Sequence, residues 1–324
     1  MTHQESLNTF YTQLEYVLST YQPHHLNLAN FDNIIIAGMG GSGIGGKLTK
    51  SYFFDRMPIP VETVSDYTLP AYASNKTLLI LSSYSGNTEE TLSAFEQGKE
   101  KGCAMLAVTT GGKLMEHVKA NHIQYYMVES GFQPRMALGY SFGFLLKIFA
   151  ELLGESIDED IKASIENLKN QDEHTSIARQ MLDKFRKNPE WKYIFIADSA
   201  FEAVAIRACQ QMQENSKKEA FVSVLPEANH NMIESYYGTL QSNFIILNSG
   251  RHDRVDARFD FVNGLLDKEN SRVVHLAVEE FSLKMIFSII HKLDWFSIYV
   301  AEETQQNPME IENIISLKDF LSNQ

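Results

Sequence analysis

Short runs of apolar residues alternate along the chain with longer stretches in which apolar residues recur every three or four positions. The short runs are typical of buried parallel strands, and the three-to-four spacing predicts helices. In the first half, strands are predicted at Asn33–Ala37, Val61–Val64, Thr77–Leu81, Ala104–Val108 and Ile123–Met127. In the second half, strands are predicted at Tyr193–Ala197, Phe221–Val224, Phe244–Leu247 and Val273–Leu276.

Helical patterns lie between these strands, and a polar stretch at Ser156–Lys187 joins the two sets as a helical connector. Helices are predicted at Thr88–Lys101, Lys113–Ala120, Ala137–Leu153, Phe201–Lys217, Asp253–Leu266, Glu280–Ala301 and Met309–Ser322. Parallel strands require crossover helices, which cover both faces of a sheet. The pattern therefore predicts two successive α/β domains, at residues 1–153 and 154–324.

Composition restricts the partners more than the fold. The 324 residues include 28 Lys and Arg against 41 Asp and Glu, a net charge of −13, which disfavours nucleic acid and anionic membranes as partners. The start, MTHQESLNTF, lacks the basic and apolar segments of a secretory leader, so we expect a cytoplasmic protein. Cys103 and Cys209 cannot form a disulfide framework or a thiolate metal site and are interpreted as small core residues.

A glycine-rich turn, GMGGSGIGG, follows the first predicted strand and leads into a helix. Glycines allow a ligand to approach the backbone, and amides at a helix start favour anions. Gly38, Gly40 and Gly43 also fit the dinucleotide fingerprint, with Glu62 about 20 residues further on. A nicotinamide-dependent dehydrogenase and plain strand–helix packing are therefore both open interpretations of this turn.

The loop after the third strand favours a different ligand. Its sequence, SSYSGNTEET, places several hydroxyl side chains immediately before a helix. Serine and threonine hydroxyls together with helix-start amides suit a phosphate monoester. Helix capping explains any one of these hydroxyls but is a poor explanation for the whole cluster.

Together, AGMGGSGIGG and SYSGNTEET resemble the sugar isomerase (SIS) domain, an α/β fold of a parallel sheet flanked by helices that binds phosphosugars. The resemblance implies two tandem SIS domains. It further implies that the second loop holds the sugar phosphate through Ser83, Ser85 and Thr88. The first loop would line the substrate through Gly41 and Ser42 and the amides from Gly40 onwards.

Three further segments resemble bifunctional phosphoglucose/phosphomannose isomerases, and the likeness extends over essentially the whole chain. The segment PRMALGYSFGFLL carries Arg135, which the resemblance implies stabilises a charged intermediate. The segments QQMQENSKKEAF and PEANHNMIES carry Glu214 and His230, the implied proton-transfer and ring-opening groups. The closing segment NPMEIENIISLKDFL carries Lys318, implied to reach the sugar ring oxygen.

These roles fit the chemistry of aldose–ketose isomerisation. A carboxylate can take a proton from carbon 2 and return it to carbon 1, an imidazole can assist ring opening, and an arginine can stabilise the enediolate. The scheme requires no cofactor and no metal. A metal site formed by Glu227, His230 and Glu234 is a weaker alternative.

The chain departs from that family's pattern at several positions. Asn307-Pro308-Met309-Glu310 stands where the family usually has Asp-Pro-Thr-Pro, and Met232 follows Asn-His-Asn where Glu is frequent. Gln213 precedes Glu214 where Asn is common. The first of these departures bears on whether both glucose and mannose phosphates are accepted.

We therefore expect an isomerase that interconverts glucose 6-phosphate or mannose 6-phosphate with fructose 6-phosphate. The alternatives are a non-catalytic phosphosugar-binding module and, on the glycines alone, an NAD-dependent dehydrogenase. Sensors of this fold usually carry a DNA-binding domain, for which there is no room before Asn33. The resemblance also implies a homodimer with the active site near the subunit boundary, where His230 serves either its own subunit's site or that of the neighbouring subunit.

Overall fold

The protein folds into two α/β units. A computed structural model describes residues 1–238, 240–269, 272–276, 278 and 280–322. One unit consists of Met1 and Asn8–Lys169, and the other of Thr2–Leu7 and Asn170–Gln324. The division after Lys169 lies within the predicted helical connector, sixteen residues beyond the domain boundary predicted after residue 153.

The first unit is built on a five-stranded sheet in which all strands are parallel. Its strands are β1 (Asn33–Ala37), β2 (Val61–Val64), β3 (Thr77–Ser83), β4 (Ala104–Thr109) and β5 (Gln124–Met127), in the spatial order β2-β1-β3-β4-β5. All seven residues of β3 are buried, as helices on both faces of a parallel sheet require. The predicted strands of this half are confirmed within one or two residues at each end.

Seven helices occupy the chain up to the end of this unit. They are α1 (His3–Asn8), α2 (Phe10–Thr20), α3 (Gly40–Tyr52), α4 (Glu89–Glu100), α5 (Gly112–Ala120), α6 (Leu138–Leu153) and α7 (Asp158–Leu168). The hydrophobic pattern did not predict α1 or α2. The helix α6 is buried over almost its whole length, and it packs against α2 and α3. This packing explains why the segment is apolar on nearly all sides.

The second unit repeats the architecture with four parallel strands. They are β6 (Lys192–Asp198), β7 (Ala220–Leu225), β8 (Ser242–Leu247) and β9 (Arg272–His275), in the order β7-β6-β8-β9. The helices are α8 (Gln171–Phe185), α9 (Glu202–Ser216), α10 (Asp253–Lys268), α11 (Leu283–Glu303) and α12 (Glu312–Ser322). Two parallel sheets flanked by helices confirm the predicted fold class, and Cys103 and Cys209 are buried free thiols as expected.

The last helix begins three residues later than predicted, at Glu312 instead of Met309. The side chain of Asn307 accepts a hydrogen bond from the Met309 amide at 3.0 Å, and its amide group donates to the Glu310 carboxylate at 2.8 Å. An asparagine side chain that bonds to the backbone amide two residues later favours a turn at that point. The chain therefore turns at residues 307–310 before the helix begins. Among the described residues, no helix is both long enough and apolar enough to cross a membrane.

Candidate functional site

The two loops singled out in the sequence follow neighbouring strands. Ala37 at the end of β1 pairs with Leu81 of β3, and the strand order reverses between these two strands. In open parallel sheets, ligands bind beyond the carboxyl ends of the strands at this point of reversal. A Cβ atom added to Gly38 would lie 2.7 Å from the Ser82 carbonyl oxygen, so the loops approach each other closely.

The glycines of the first loop have two different reasons to be glycine. A Cβ on Gly43 would lie 2.5 Å from the Gly38 carbonyl oxygen, and a Cβ on Gly46 would lie 2.9 Å from the Ile36 side chain. These residues permit α3 to pack tightly on β1. Gly40 instead has φ +51° and no atom within 4 Å of an added Cβ, so it meets open space. Packing thus accounts for part of the dinucleotide-like fingerprint.

The first turn of α3 carries backbone amide donors that face out of the helix start. The amides of Ser42 and Gly43 bond back to the Met39 carbonyl, at 3.1 Å in both cases. The amides of Gly40 and Gly41 precede them in the first turn, where a helix offers no internal acceptor. The positive end of the helix dipole adds to their attraction for an anion.

The predicted hydroxyl cluster is assembled at the end of β3. The hydroxyl oxygens of Ser83 and Thr88 lie 3.0 Å apart, and the Ser83 hydroxyl accepts the Gly86 amide at 3.1 Å. The Ser42 hydroxyl accepts the Tyr84 amide at 3.1 Å, which joins the two loops. Thr88 precedes α4 but makes no side-chain capping bond, so helix capping does not explain its hydroxyl. Ser85, the remaining predicted hydroxyl, is exposed at the tip of the loop.

Gly86 and Asn87 hold this loop in place, and neither was assigned a role from the sequence. Gly86 has φ +66°, and a Cβ there would lie only 1.8 Å from the Gly111 carbonyl oxygen. The Asn87 side chain accepts the Lys113 amide at 3.0 Å, at the start of α5. These contacts fix the loop against the start of α5 before any ligand binds.

Tyr84 connects the hydroxyl loop to the segment that carries Arg135. Its phenol donates to the Glu129 carbonyl at 3.2 Å and accepts the Phe132 amide at 2.9 Å. Burial raises the pKa of Tyr84, which keeps the phenol protonated and able to donate. The only sequence signal for this role is the position of an aromatic residue within the loop.

Arg135 lies on the same side of the sheet as the two loops. It is only 5% exposed, within a 3₁₀ turn at Pro134–Met136. A Cβ on Gly41 would lie 2.8 Å from the Pro134 carbonyl oxygen and 3.3 Å from the Arg135 Cα, so the backbone of Arg135 touches the first loop. The first unit thus brings together Gly40, Gly41, Ser42, Ser83, Thr88 and Arg135.

A small cavity adjoins this group of residues and is lined by serine hydroxyls as well as apolar side chains. Its lining residues are Ser42, Ser82, Tyr84, Val108, Val128, Pro134, Ala137 and Ser141. The arrangement can bind a dianionic phosphate through neutral hydroxyl and amide donors, with one buried cation beside it. Such a site is compatible with a net charge of −13 on the whole chain.

Glu214 lies near the amino ends of the strands of the second sheet, and His230 lies near their carboxyl ends. Glu214 is half-buried in the last turn of α9, six residues before β7 begins, whereas His230 is exposed and follows the end of β7. A six-residue strand spans about 20 Å. The second unit therefore does not bring these two residues together, although the sequence predicts that both serve one reaction.

The remaining predicted residue, Lys318, is exposed on α12. Met232, one of the departures, has a structural role: its sulfur accepts a hydrogen bond from the Tyr236 hydroxyl at 3.1 Å, and its side chain packs against the apolar core of the second unit. In the described part of the chain, no three His, Cys, Asp or Glu side chains gather in a way that could hold a metal ion.

Known families match both units. A SIS domain family matches residues 27–127, and the bacterial phospho-glucose isomerase C-terminal SIS domain family matches residues 172–321. A bifunctional phosphoglucose/phosphomannose isomerase from Caldicellulosiruptor bescii is 36% identical over 90% of each chain. A protein of the same name from Aquifex aeolicus is 32% identical over 96% of each chain.

Two further similarities broaden the comparison. A D-glucosamine-6-phosphate 4-epimerase from Sulfolobus acidocaldarius is 32% identical over 66% of this chain and 67% of its own. The solved C-terminal domain of glucosamine-fructose-6-phosphate aminotransferase from Francisella tularensis superposes with a TM-score of 0.68 over 93% of this chain and 96% of that one. At 16% identity, this likeness shows a shared fold alone.

Proposed function

Because the chain belongs to the family of bifunctional phosphoglucose/phosphomannose isomerases, we propose that it is an aldose–ketose isomerase. Its substrates are glucose 6-phosphate, mannose 6-phosphate or both, and the ketose product is fructose 6-phosphate. The observation that carries the proposal is the pair of loops at the end of β1 and β3, where hydroxyls 3.0 Å apart stand beside helix-start amides. Such donors fit the phosphate group that these sugars share.

Chemistry at the sugar follows from the residue types. Glu214 removes the proton from carbon 2 and returns it to carbon 1, since a carboxylate can act as base and then as acid. The charge of the cis-enediolate formed in between is stabilised by Arg135, which burial holds beside the first loop. His230 exchanges the proton that ring opening requires, and Lys318 acts at the ring oxygen.

The placement of His230 supports a homodimer. Glu214 and His230 are separated by the length of β7 within one chain, so a single active site needs His230 from a second copy. The exposed face of α12, with Ile314, Ile315, Leu317 and Phe320, provides apolar surface that association would cover. We further propose that the enzyme works in the cytoplasm.

Replacement of the proposed base is the direct test. Glu214→Gln keeps the size of the side chain and removes the carboxylate, so we expect kcat to fall by about 100-fold to 10,000-fold in a coupled assay with either hexose phosphate. Glu202→Gln changes an exposed glutamate in the first turn of the same helix and is the matched control. Turnover by Glu214→Gln at the level of Glu202→Gln would contradict the assignment.

A second measurement tests the enediolate itself. The wild-type enzyme in heavy water should place deuterium on carbon 2 of the aldose, since a proton held on a carboxylate exchanges with solvent. The relative that is named as a 4-epimerase suggests the competing function. Conversion of glucosamine 6-phosphate to its 4-epimer, with no ketose formed from glucose or mannose 6-phosphate, would favour that function instead.

A further inference from the structure

Lys217 binds carbonyl oxygens from two separate parts of the second unit. Its ammonium nitrogen lies 2.8 Å from the Glu214 carbonyl oxygen and 3.4 Å from that of Asn215, both in the last turn of α9. It also lies 2.6 Å from the Asn307 carbonyl oxygen and 2.9 Å from that of Glu310. One cation therefore joins the helix that carries Glu214 to a turn more than 90 residues later in the chain.

The backbone at Lys217 indicates that its side chain is needed there. Lys217 has φ +56°, the left-handed conformation that ends many helices and that glycine adopts most easily. A lysine in this position carries a steric cost that a glycine would avoid. The compensating interaction is the bonding of its ammonium to last-turn carbonyls, which have no partner within the helix.

Other bonds hold the last turn of α9 to the helix α11. The side-chain amide of Asn215 donates to the Ser297 hydroxyl at 2.9 Å, and the Ser216 hydroxyl donates to the Ser297 carbonyl at 2.9 Å. Both bonds are buried and reach α11. These bonds fix the end of α9 against α11. Lys217 connects the turn at residues 307–310 to this fixed helix end.

That turn is compact in itself. The Asn307 side chain bonds to the Met309 amide and to the Glu310 carboxylate, and the Glu310 amide bonds to the Asn307 carbonyl at 3.3 Å. The turn leads directly into α12, whose side chains are exposed along its described length. Because α12 packs little against the rest of its own chain, the position of its first turn within that chain depends on how the 307–310 turn is held.

We propose that Lys217 is a positioning residue, a role that rests on the proposed isomerase function. It fixes the C-terminal segment that bears Lys318 against the end of the helix that bears Glu214. It contacts backbone atoms of both segments and does not itself transfer a proton. Its loss should therefore leave phosphate binding in the first unit intact while disturbing the step that needs Glu214 and Lys318 together.

The test compares Lys217→Met with Lys218→Met, which removes the same charge one position along the chain. Amides of residues 311–322 should exchange with deuterium at least about tenfold faster in Lys217→Met than in the wild type or in Lys218→Met. For the isomerase reaction, kcat should fall by about 10-fold to 100-fold, with KM changed less than about twofold, as expected for misplaced catalytic groups.

Restoration of the ammonium provides the positive control. Lys217→Cys treated with 2-bromoethylamine regains a lysine-like side chain and should recover most of kcat and of the amide protection. The wild type, treated in the same way, controls for the buried Cys103 and Cys209. Recovery of neither property would overturn the proposal.

The outcomes separate the two proposals. If the wild type converts neither hexose phosphate, the proposed function fails, and the exchange rates of residues 311–322 still decide whether Lys217 holds the segment. Unchanged exchange in Lys217→Met would overturn the positioning role. The same follows if Lys217→Met lowers the unfolding temperature of the unit but leaves kcat per folded enzyme at the wild-type value.

Discussion

A buried histidine pair should make the second unit sensitive to acid. His174 of α8 and His291 of α11 are both fully buried, and their Nδ1 atoms lie 2.7 Å apart. His291 Nε2 lies 3.0 Å from the Leu7 carbonyl oxygen, so it must donate, and its Nδ1 must then accept from His174. The chain of bonds ends at the Ser288 hydroxyl, 3.4 Å from His174 Nε2. Both rings are neutral in this arrangement.

Protonation of His291 at Nδ1 would place its N–H against the N–H of His174, and protonation of His174 would place a second buried positive charge near the Lys292 ammonium. Burial, together with the nearby Lys292 ammonium, lowers the pKa of His174 to about 4. Burial, together with the neighbouring His174 and Lys292, lowers the pKa of His291 to about 3. In the unfolded chain both groups titrate near pH 6.5. The free energy of unfolding is therefore not reduced by the pair above about pH 6.5. It falls as the pH falls from about 6.5 towards the pKa values of about 4 and about 3 in the folded protein.

The expected size of the effect follows from linkage. Between about pH 8 and pH 5, each histidine in the unfolded chain gains a proton that the folded pair excludes, at about 2 kcal/mol per residue. The pair should lower the free energy of unfolding by about 4 kcal/mol over this range. The double variant His174→Gln/His291→Gln should lose this difference, whereas His275→Gln, which changes an exposed histidine on β9, should retain it.

Urea unfolding followed by tryptophan fluorescence measures this directly. The chain has two tryptophans, Trp191 and Trp295, and both belong to the second unit, so the signal reports that unit alone. The Trp295 ring lies 6.3 Å from that of His291. If the double variant loses as much unfolding free energy between the two pH values as the wild type, the histidine pair is not the cause.

Two further predictions concern the hydroxyl loop. Gly86→Ala should unfold at clearly lower urea than Gly102→Ala: both positions have positive φ, but the nearest atom to an added Cβ is 1.8 Å away at Gly86 and 3.6 Å at Gly102. Circular dichroism measures this, and equal midpoints would contradict the steric argument. Ser83→Ala removes the partner of the Thr88 hydroxyl and should raise KM for hexose phosphates about tenfold, with kcat little changed. The inhibition constant of inorganic phosphate should rise by the same factor; a change in kcat alone would place Ser83 outside the phosphate site.

Much of the fold was predictable because it depends on local patterns. The run TLLIL is apolar throughout, which already indicates a strand covered on both faces, and β3 is buried along its length. The strand nevertheless continues through Ser82 and Ser83, since polar residues at a carboxyl edge can still pair with β4. The missed helices α1 and α2 precede the first strand, outside the strand–helix alternation from which the other elements were predicted.

The candidate site was only partly predictable. Ser83 and Thr88 are five residues apart, so their meeting follows from one tight turn after a strand. Tyr84 and Asn87 lie in the same loop, but their partners are 26 to 48 residues away and carry no spacing signal. The sequence therefore indicated the hydroxyls that we propose bind phosphate, but not the residues that hold the loop.

The sequence by itself determined the alternation of strands and helices, the placement of glycines and hydroxyls after β1 and β3, and the family resemblance. Only the tertiary structure decided which contacts join distant segments, such as Lys217 to the 307–310 turn and His174 to His291. The physical reason is the range of the interactions. Periodicity and turn chemistry act between neighbours in the chain, whereas a buried hydrogen bond depends on which surfaces pack together after the whole unit has folded.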